Sequence, residues 1–192
     1  PIHRGGGDSE LFPPGNLRVS IFPWVHCPRQ HGRSRKFHIP IHGGQLKLEN
    51  LDTYITQKTK FVSIVHQSNV FGTINDIEKI IKASHKVGAK ILIDGSQSIT
   101  HKKIDVQKLN CDFFVFSGHK MMGPTGVGIL YGKLDILNEM PPFLSGGEMI
   151  KTVNMESSTY NDSPWKFEAG TPNFAQVIGL GAAIDYINNI GL

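Results

Sequence analysis

The sequence has only two cysteines in 192 residues, Cys27 and Cys111. A single possible pair cannot make the disulfide framework of a small secreted domain, so a reducing compartment, the cytoplasm or an organelle, fits better. There is no C-x-x-C and no second Cys/His pair at zinc-like distance. "HCPRQH" does bring His26, Cys27 and His31 close in sequence, but without a further pair no metal site is assigned. No run of about 18 apolar residues occurs, and a membrane span is not expected. Both common nucleotide motifs are missing: there is no G-x-x-x-x-G-K-[ST], and no G-x-G-x-x-G opens a helix after a strand. No internal repeat is visible, and no basic segment followed by an apolar one. Because the chain begins at Pro1, it is read as a piece of a longer chain or one with an altered start.

What is present is ordinary for a globular domain. Hydrophobic residues make up 39% and charged residues 19%, enough to bury a core. The net charge of +4 is mild. Arg4, Arg18, Arg29, Arg33, Arg35 and Lys36 precede residue 40 against only Asp8 and Glu10. They are read as a solvated basic face and not as a nucleic-acid patch.

Residues 1–36 carry much Gly and Pro and no clear period, and are read as an irregular segment. From residue 37 onward the pattern is orderly. "KFHIPI" alternates like a short strand, and "LENLDTYITQ" puts Leu48, Leu51 and Ile55 on one helical face. "KFVSIVH" (60–66), "AKILID" (89–94), "DFFVFS" (112–117) and "GVGILYG" (126–132) are apolar, β-branched or aromatic runs that predict strands. Between the first two lies "NDIEKIIKASHKVG", with Ile77, Ile80, Ile81 and Ser84 at helical spacing, Asn75 as a cap and Gly88 as a stop. A closing helix starts near Asn173, with Val177, Leu180, Gly181, Ile184 and Ile187 as its stripe. Strand, helix, strand, crossover, strand is an α/β order. Nearly continuous apolar strands suit a mostly parallel sheet covered on both faces, a three-layer architecture.

Polar residues cluster after the strands: "HQSNVFGT" after the first long one, "DGSQS" after the second, "SGHK" after the third. In open α/β sheets ligands bind beyond the strand ends. Asn69, Asp94, Gln97, Ser117, His119 and Lys120 therefore converge on one edge. Taken singly each has a plain reading: Asp94 as a helix cap, Asn69 and Gln97 as loop amides, Ser117 and His119 as turn residues, Lys120 as a solvated lysine. Taken together they suit pyridoxal phosphate. A lysine amine forms a Schiff base with its aldehyde, an aspartate keeps the pyridine nitrogen protonated, and hydroxyl and imidazole donors hold a phosphate.

"SNVFGTI", "ILIDGSQS", "CDFFVFSGHKMMGPTGVGILYG" and "KFEAGTPN" resemble the class V aminotransferase fold family, and within it the SufS-type cysteine desulfurases. The resemblance runs from about residue 37 to 192, with an echo at "IFPW" (21–24). It implies the large domain of a fold type I pyridoxal-phosphate transferase. Residues 37–192 would be its central part, incomplete because the C-terminal small domain is absent. It implies that Lys120 carries the cofactor and shuttles the substrate's Cα proton. Asp94 would pair with the pyridine nitrogen, Asn69 and Gln97 with the phenolic oxygen, Ser117 and His119 with the phosphate. Thr171 would reach the phosphate of the other subunit's cofactor, which implies a homodimer. The substrate would be L-cysteine, converted to L-alanine with the sulfur passed to an enzyme persulfide for iron–sulfur cluster assembly. A sulfur-acceptor protein would be a further partner.

Some family features have no counterpart here. The stacking histidine would fall near Leu17 or Arg18, and no histidine is there. The upstream phosphate-binding Gly–Thr turn, the persulfide cysteine and the substrate-binding arginine are missing, and Lys166 stands where an arginine is usual. Cys111 opens an apolar run and reads as a buried hydrophobe. The 192-residue chain by itself is therefore expected not to turn over L-cysteine. Other enzymes of the same fold, or an inactive paralogue, remain alternatives.

Overall fold

The computed structural model describes residues 20–22 and 37–191. Its elements, in chain order, begin with strand β1 (Ser20–Phe22), the short hairpin β2 (Ile41–His42) and β3 (Gln45–Leu46), and helix α1 (Leu51–Tyr54). Strand β4 (Phe61–Val65), helix α2 (Ile77–Lys86), strand β5 (Lys90–Asp94), helix α3 (Val106–Leu109) and strand β6 (Phe113–Ser117) follow. Then come strand β7 (Gly128–Gly132), helix α4 (Leu134–Glu139), the hairpin β8 (Ile150–Val153) and β9 (Ser158–Tyr160), and the long helix α5 (Phe174–Ile190). Cys27, His26, His31 and the Leu17–Arg18 position lie outside the described residues.

The main sheet has the order β1-β4-β5-β6-β7. Its centre, β4-β5-β6, is parallel, while β1 and β7 join antiparallel at the two edges. The α/β expectation therefore holds, and each of the four predicted long strands is present. Within the stretch read as irregular, Ser20–Phe22 forms β1 and pairs with β4. "KFHIPI" does not form a strand of its own. Phe37 makes an isolated bridge and only Ile41 enters the β2–β3 hairpin, since Pro40 has no N–H to give a ladder.

The core lies on one face of the sheet. Val62, Ile64, Ile91 and Ile93 point there and pack with Ile77, Ile80 and Ile81 of α2, Leu51 of α1 and Ile55 just after it, all at 9% exposure or less. Fully burying one such isoleucine is worth about 1.5–3 kcal/mol. The alternate residues Ser63, Val65, Leu92 and Asp94 are only half-buried, so among the described residues that face is less completely covered than the apolar runs predict. Helix α2 is capped by Asp76, whose carboxylate accepts from Lys79 N–H at 3.0 Å. Asn75, the expected cap, is used otherwise: its side-chain amide donates to the Val65 carbonyl at 2.9 Å. In α5 the buried residues are Leu180, Ala183 and Ile187, whereas Val177 and Ile184 of the expected stripe are exposed. The helix is apolar on nearly every side, so periodicity could not single out the covered face. Among the described residues no helix is long and apolar enough to cross a membrane.

Candidate functional site

Parallel pairing brings the candidate residues to one edge. Val65, Asp94 and Val115 stand abreast in register. With neighbouring strands about 4.8 Å apart, the three following segments leave the sheet within roughly 10 Å of one another.

The segment after β4 is folded around Ser68, which is 2% exposed. Its hydroxyl accepts from Val70 N–H at 3.2 Å and Phe71 N–H at 3.0 Å, and its own N–H donates to the Thr73 carbonyl at 2.9 Å. This local turn holds Asn69 exposed at its tip. Asn75 closes the loop's base through Val65. His66 is buried and its N–H donates to the Asp94 carbonyl at 2.8 Å. Burial, and then the charge of Lys102, push the His66 imidazole below its usual range, which keeps it neutral at pH near 7.

After β5 the chain turns at Gly95. A Cβ there would lie 2.0 Å from Cζ of Phe114, so only glycine lets that ring pack beneath the turn. Gly95 N–H donates to Val115 at 2.8 Å, and the Gly95 carbonyl receives Ser98 N–H at 3.0 Å and Ile99 N–H at 2.9 Å. Asp94 Oδ1 accepts from Ser96 N–H at 2.9 Å, while Oδ2 bonds no other described group. Gln97 is half-buried beside it in sequence.

After β6 the chain makes a 3₁₀ turn, Gly118–Met121, which carries His119 and Lys120 exposed next to half-buried Ser117. Gly118 has no room for a side chain: a Cβ would come within 2.8 Å of Val127 Cγ1. Its N–H donates to the Val127 carbonyl at 2.8 Å, and its carbonyl receives Gly123 N–H at 3.0 Å. The Thr100 hydroxyl donates to the Lys120 carbonyl. Thr171 is exposed, and Asn173 two residues later donates its side-chain amide to the Gly126 carbonyl at 2.7 Å. The "AGTPN" segment is thereby tied to the turn that follows Lys120.

Among the described residues, the side chains of Asn69, Gln97, Ser117, His119, Lys120 and Thr171 form no hydrogen bond. An amine, a free carboxylate oxygen, two amides, two hydroxyls and an imidazole thus stand uncommitted along connected segments. That donor set fits pyridoxal phosphate, with an aldehyde, a pyridine nitrogen, a phenolic oxygen and a phosphate to satisfy. Among the described residues no three His, Cys, Asp or Glu side chains are placed to hold a metal. Ser68 and Thr100 were not singled out from the sequence, and Asn173 was read only as the start of the closing helix. Only Ser68 had a local signal, a hydroxyl just before a turn; the other two act across 20 and 47 residues.

Two buried groups stand apart from this edge. Lys166 is 8% exposed, donates to the Asn138 carbonyl at 2.9 Å and lies 5.0 Å from the Phe167 ring centroid. It sits at the carboxyl end of α4, where a cation is favoured. Cys111 is fully buried, and burial pushes its thiol up from its usual range, so it is a poor nucleophile.

The family model described as Aminotransferase class-V matches residues 16–192. A probable cysteine desulfurase of Halalkalibacterium halodurans is 49% identical over 189 residues, which cover 98% of this chain and 46% of that protein. The crystal structure of the cysteine desulfurase CsdA from Escherichia coli superposes with a TM-score of 0.74 at 42% identity, over 77% of this chain and 37% of that one. A cystine C–S lyase, C-DES, solved with its product cysteine persulfide, superposes with a TM-score of 0.67 at 28% identity, over 75% of this chain and 39% of that one. The chain spans about half the length of the curated relatives it matches.

Proposed function

Because this chain belongs to the class-V aminotransferase family, we propose that it forms the cofactor-binding part of a pyridoxal-phosphate cysteine desulfurase, taking L-cysteine to L-alanine and passing on the sulfur. The observation that carries the reading is the row of uncommitted polar side chains at three adjacent strand ends. The similarity to cysteine desulfurases supports the choice of substrate.

Pyridoxal phosphate, when bound, supplies an electron sink for charge that develops at the substrate's Cα. Lys120 holds the cofactor through its amine and carries the Cα proton at Nζ. The free Oδ2 of Asp94 holds a proton on the pyridine nitrogen, and the Ser96 N–H on Oδ1 fixes the carboxylate's orientation. Ser117 and His119 donate to the phosphate, Asn69 and Gln97 to the phenolic oxygen. Thr171, exposed and tied through Asn173 to the Lys120 loop, serves the phosphate site of a second subunit in a homodimer. Cys111 is unsuited to accept sulfur because it is buried and its thiol is held protonated. The accepting thiolate therefore comes from outside the described residues, with a sulfur-acceptor protein downstream in a reducing compartment. Iron–sulfur cluster assembly is the use this reading assigns to that sulfur.

Borohydride reduction of the protein mixed with pyridoxal phosphate, followed by peptide mapping, is expected to leave the pyridoxyl label on Lys120. Label on other lysines and none on Lys120 would reject the assignment. A second reading, carbon–sulfur lyase chemistry on the same cofactor, is favoured by the likeness to the cystine lyase. Product analysis after incubating the full-length protein with L-cysteine separates the two: desulfuration leaves alanine, lyase chemistry does not.

A further inference from the structure

We propose that Thr100 is a positioning residue for Lys120, holding the amine-bearing turn in a fixed relation to the Asp94 turn; this rests on the cofactor reading above. Asp94 and Lys120 belong to different segments, one after β5 and one after β6. The two parallel strands fix the segments only at their bases, where Gly95 N–H meets the Val115 carbonyl at 2.8 Å. Five residues beyond that bond, the Thr100 hydroxyl meets the carbonyl of Lys120 itself.

Both sides of this contact are prepared for it. The 3₁₀ turn ends at Met121, and Met122 adopts the left-handed conformation with φ 57°. Met122 and Gly123 both return their N–H groups to the Gly118 carbonyl, so the Lys120 carbonyl has no backbone partner and would otherwise face solvent. On the other side, Thr100 sits on two consecutive turns built around Ser98, which is fully buried. Ser98 N–H donates to the Gly95 carbonyl, and its hydroxyl does so too at 3.2 Å. The Ser98 carbonyl in turn receives His101 and Lys102 N–H at 3.0 Å each. A stiff path thus runs from Asp94 through Ser98 to Thr100, and the hydroxyl carries it on to Lys120. Pre-positioning of this kind matters because the amine and the carboxylate must meet opposite parts of the same small ring.

The test compares Thr100→Val, which keeps the shape and removes the hydroxyl, with Thr100→Ser, which keeps the hydroxyl. The readouts are the rate at which pyridoxal phosphate becomes reducible onto Lys120, followed by peptide mapping, and the pH midpoint of the bound cofactor's visible absorbance. Losing one hydrogen bond of ordinary strength is expected to slow labelling of Lys120 by about three- to tenfold in Thr100→Val and to move the pH midpoint. Thr100→Ser is expected to stay within about twofold of the parent on the same scale. Urea denaturation of each variant identifies one that fails to fold; if Thr100→Val does, Thr100→Ala, which also lacks the hydroxyl, is read in its place. Parent-like labelling and pH midpoint in Thr100→Val overturn the proposal, as does a folded Thr100→Ser that labels no faster than Thr100→Val. If the parent protein itself takes no label at Lys120, the cofactor reading fails first and the positioning role falls with it.

Discussion

Asn173 donates its side-chain amide to the carbonyl of Gly126 at 2.7 Å, joining two segments 47 residues apart. Gly126 stands in the left-handed region at φ 80°, and its carbonyl is held by the first residue before α5. Replacing Asn173 with alanine is expected to cost about 1 kcal/mol. It is also expected to raise hydrogen exchange at Val127 and Gly128 while leaving α2 unchanged. Urea denaturation and exchange mass spectrometry check both parts; unchanged exchange around Gly126 would contradict the coupling.

Gly95→Ala is expected to be among the more damaging single-methyl additions, because its Cβ would collide with the Phe114 ring. Overpacking of this kind costs about 1–3 kcal/mol. Pairing it with Phe114→Leu should recover part of the loss, and thermal denaturation of the two single variants and the double variant measures that coupling. Simple additivity would show that the ring is not what the methyl meets.

At the far end of the sheet, Asp112 is 2% exposed and accepts from Ile91 N–H at 2.9 Å. It also meets His85 Nε2 at 2.9 Å and Lys133 Nζ at 3.3 Å. Burial pushes its carboxyl up, but the hydrogen bonds from His85 and Ile91, with the charge of His85 when it is protonated and that of Lys133, outweigh this and hold it below the usual range. A lowered carboxylate value in the folded state means that the stabilisation is fully present above the ordinary value, about 3.9, and is lost as pH falls through the folded one. Asp112→Asn is expected to destabilise by about 1–3 kcal/mol at neutral pH, because its amide cannot accept from Ile91, His85 and Lys133 as the carboxylate does. The variant should then lose less than the parent on acidification. Urea midpoints at neutral pH and at pH about 3 decide it; parallel pH profiles would refute the role.

Asp94→Asn should separate folding from chemistry. An amide oxygen still accepts the Ser96 N–H, so the melting temperature and Lys120 labelling are expected to remain close to the parent. On the proposed reading the neutral amide cannot hold a proton on the pyridine nitrogen, and in the full-length enzyme losing that charge-assisted bond is expected to lower desulfuration of L-cysteine by roughly ten- to a hundredfold. Near-normal turnover in this variant would reject the role given to Asp94.

The central strands were legible in the sequence because each is a short apolar run bounded by polar turns, and because the run Ile77 to Ser84 has an unmistakable helical period. The candidate edge was legible for the same reason: Asp94 and Ser117 end strands, and Asn69 lies in the turn after one, in an α/β order that dictates the strands' direction. What stayed hidden depends on contacts between distant segments. Asn75 and Asp76 are both competent caps, and only the bond from Asn75 to Val65 decides between them. The covered side of α5 is set by Pro124 and Gly123 meeting Gly179 and Leu180, which no local period encodes. Thr100 looks like any loop threonine until the fold brings it to Lys120.

The antiparallel turn from β6 into β7 has a consequence for how this part of the molecule can change over time. Ser117 pairs with Gly128, so residues 118–127 form a closed stitch whose two ends are sewn to the same ladder. Within it, Gly118 is fastened to Val127, Gly123 to Gly118 and Gly126 to Asn173. Exchanging the exposed Met122 or Thr125 leaves every one of these fastenings in place. Inserting or deleting a single residue does not, because a strand slipped by one position turns its side chains to the opposite face. The loop that carries the lysine should therefore accept other letters at its exposed positions, such as Thr125, but keep its glycines and its length.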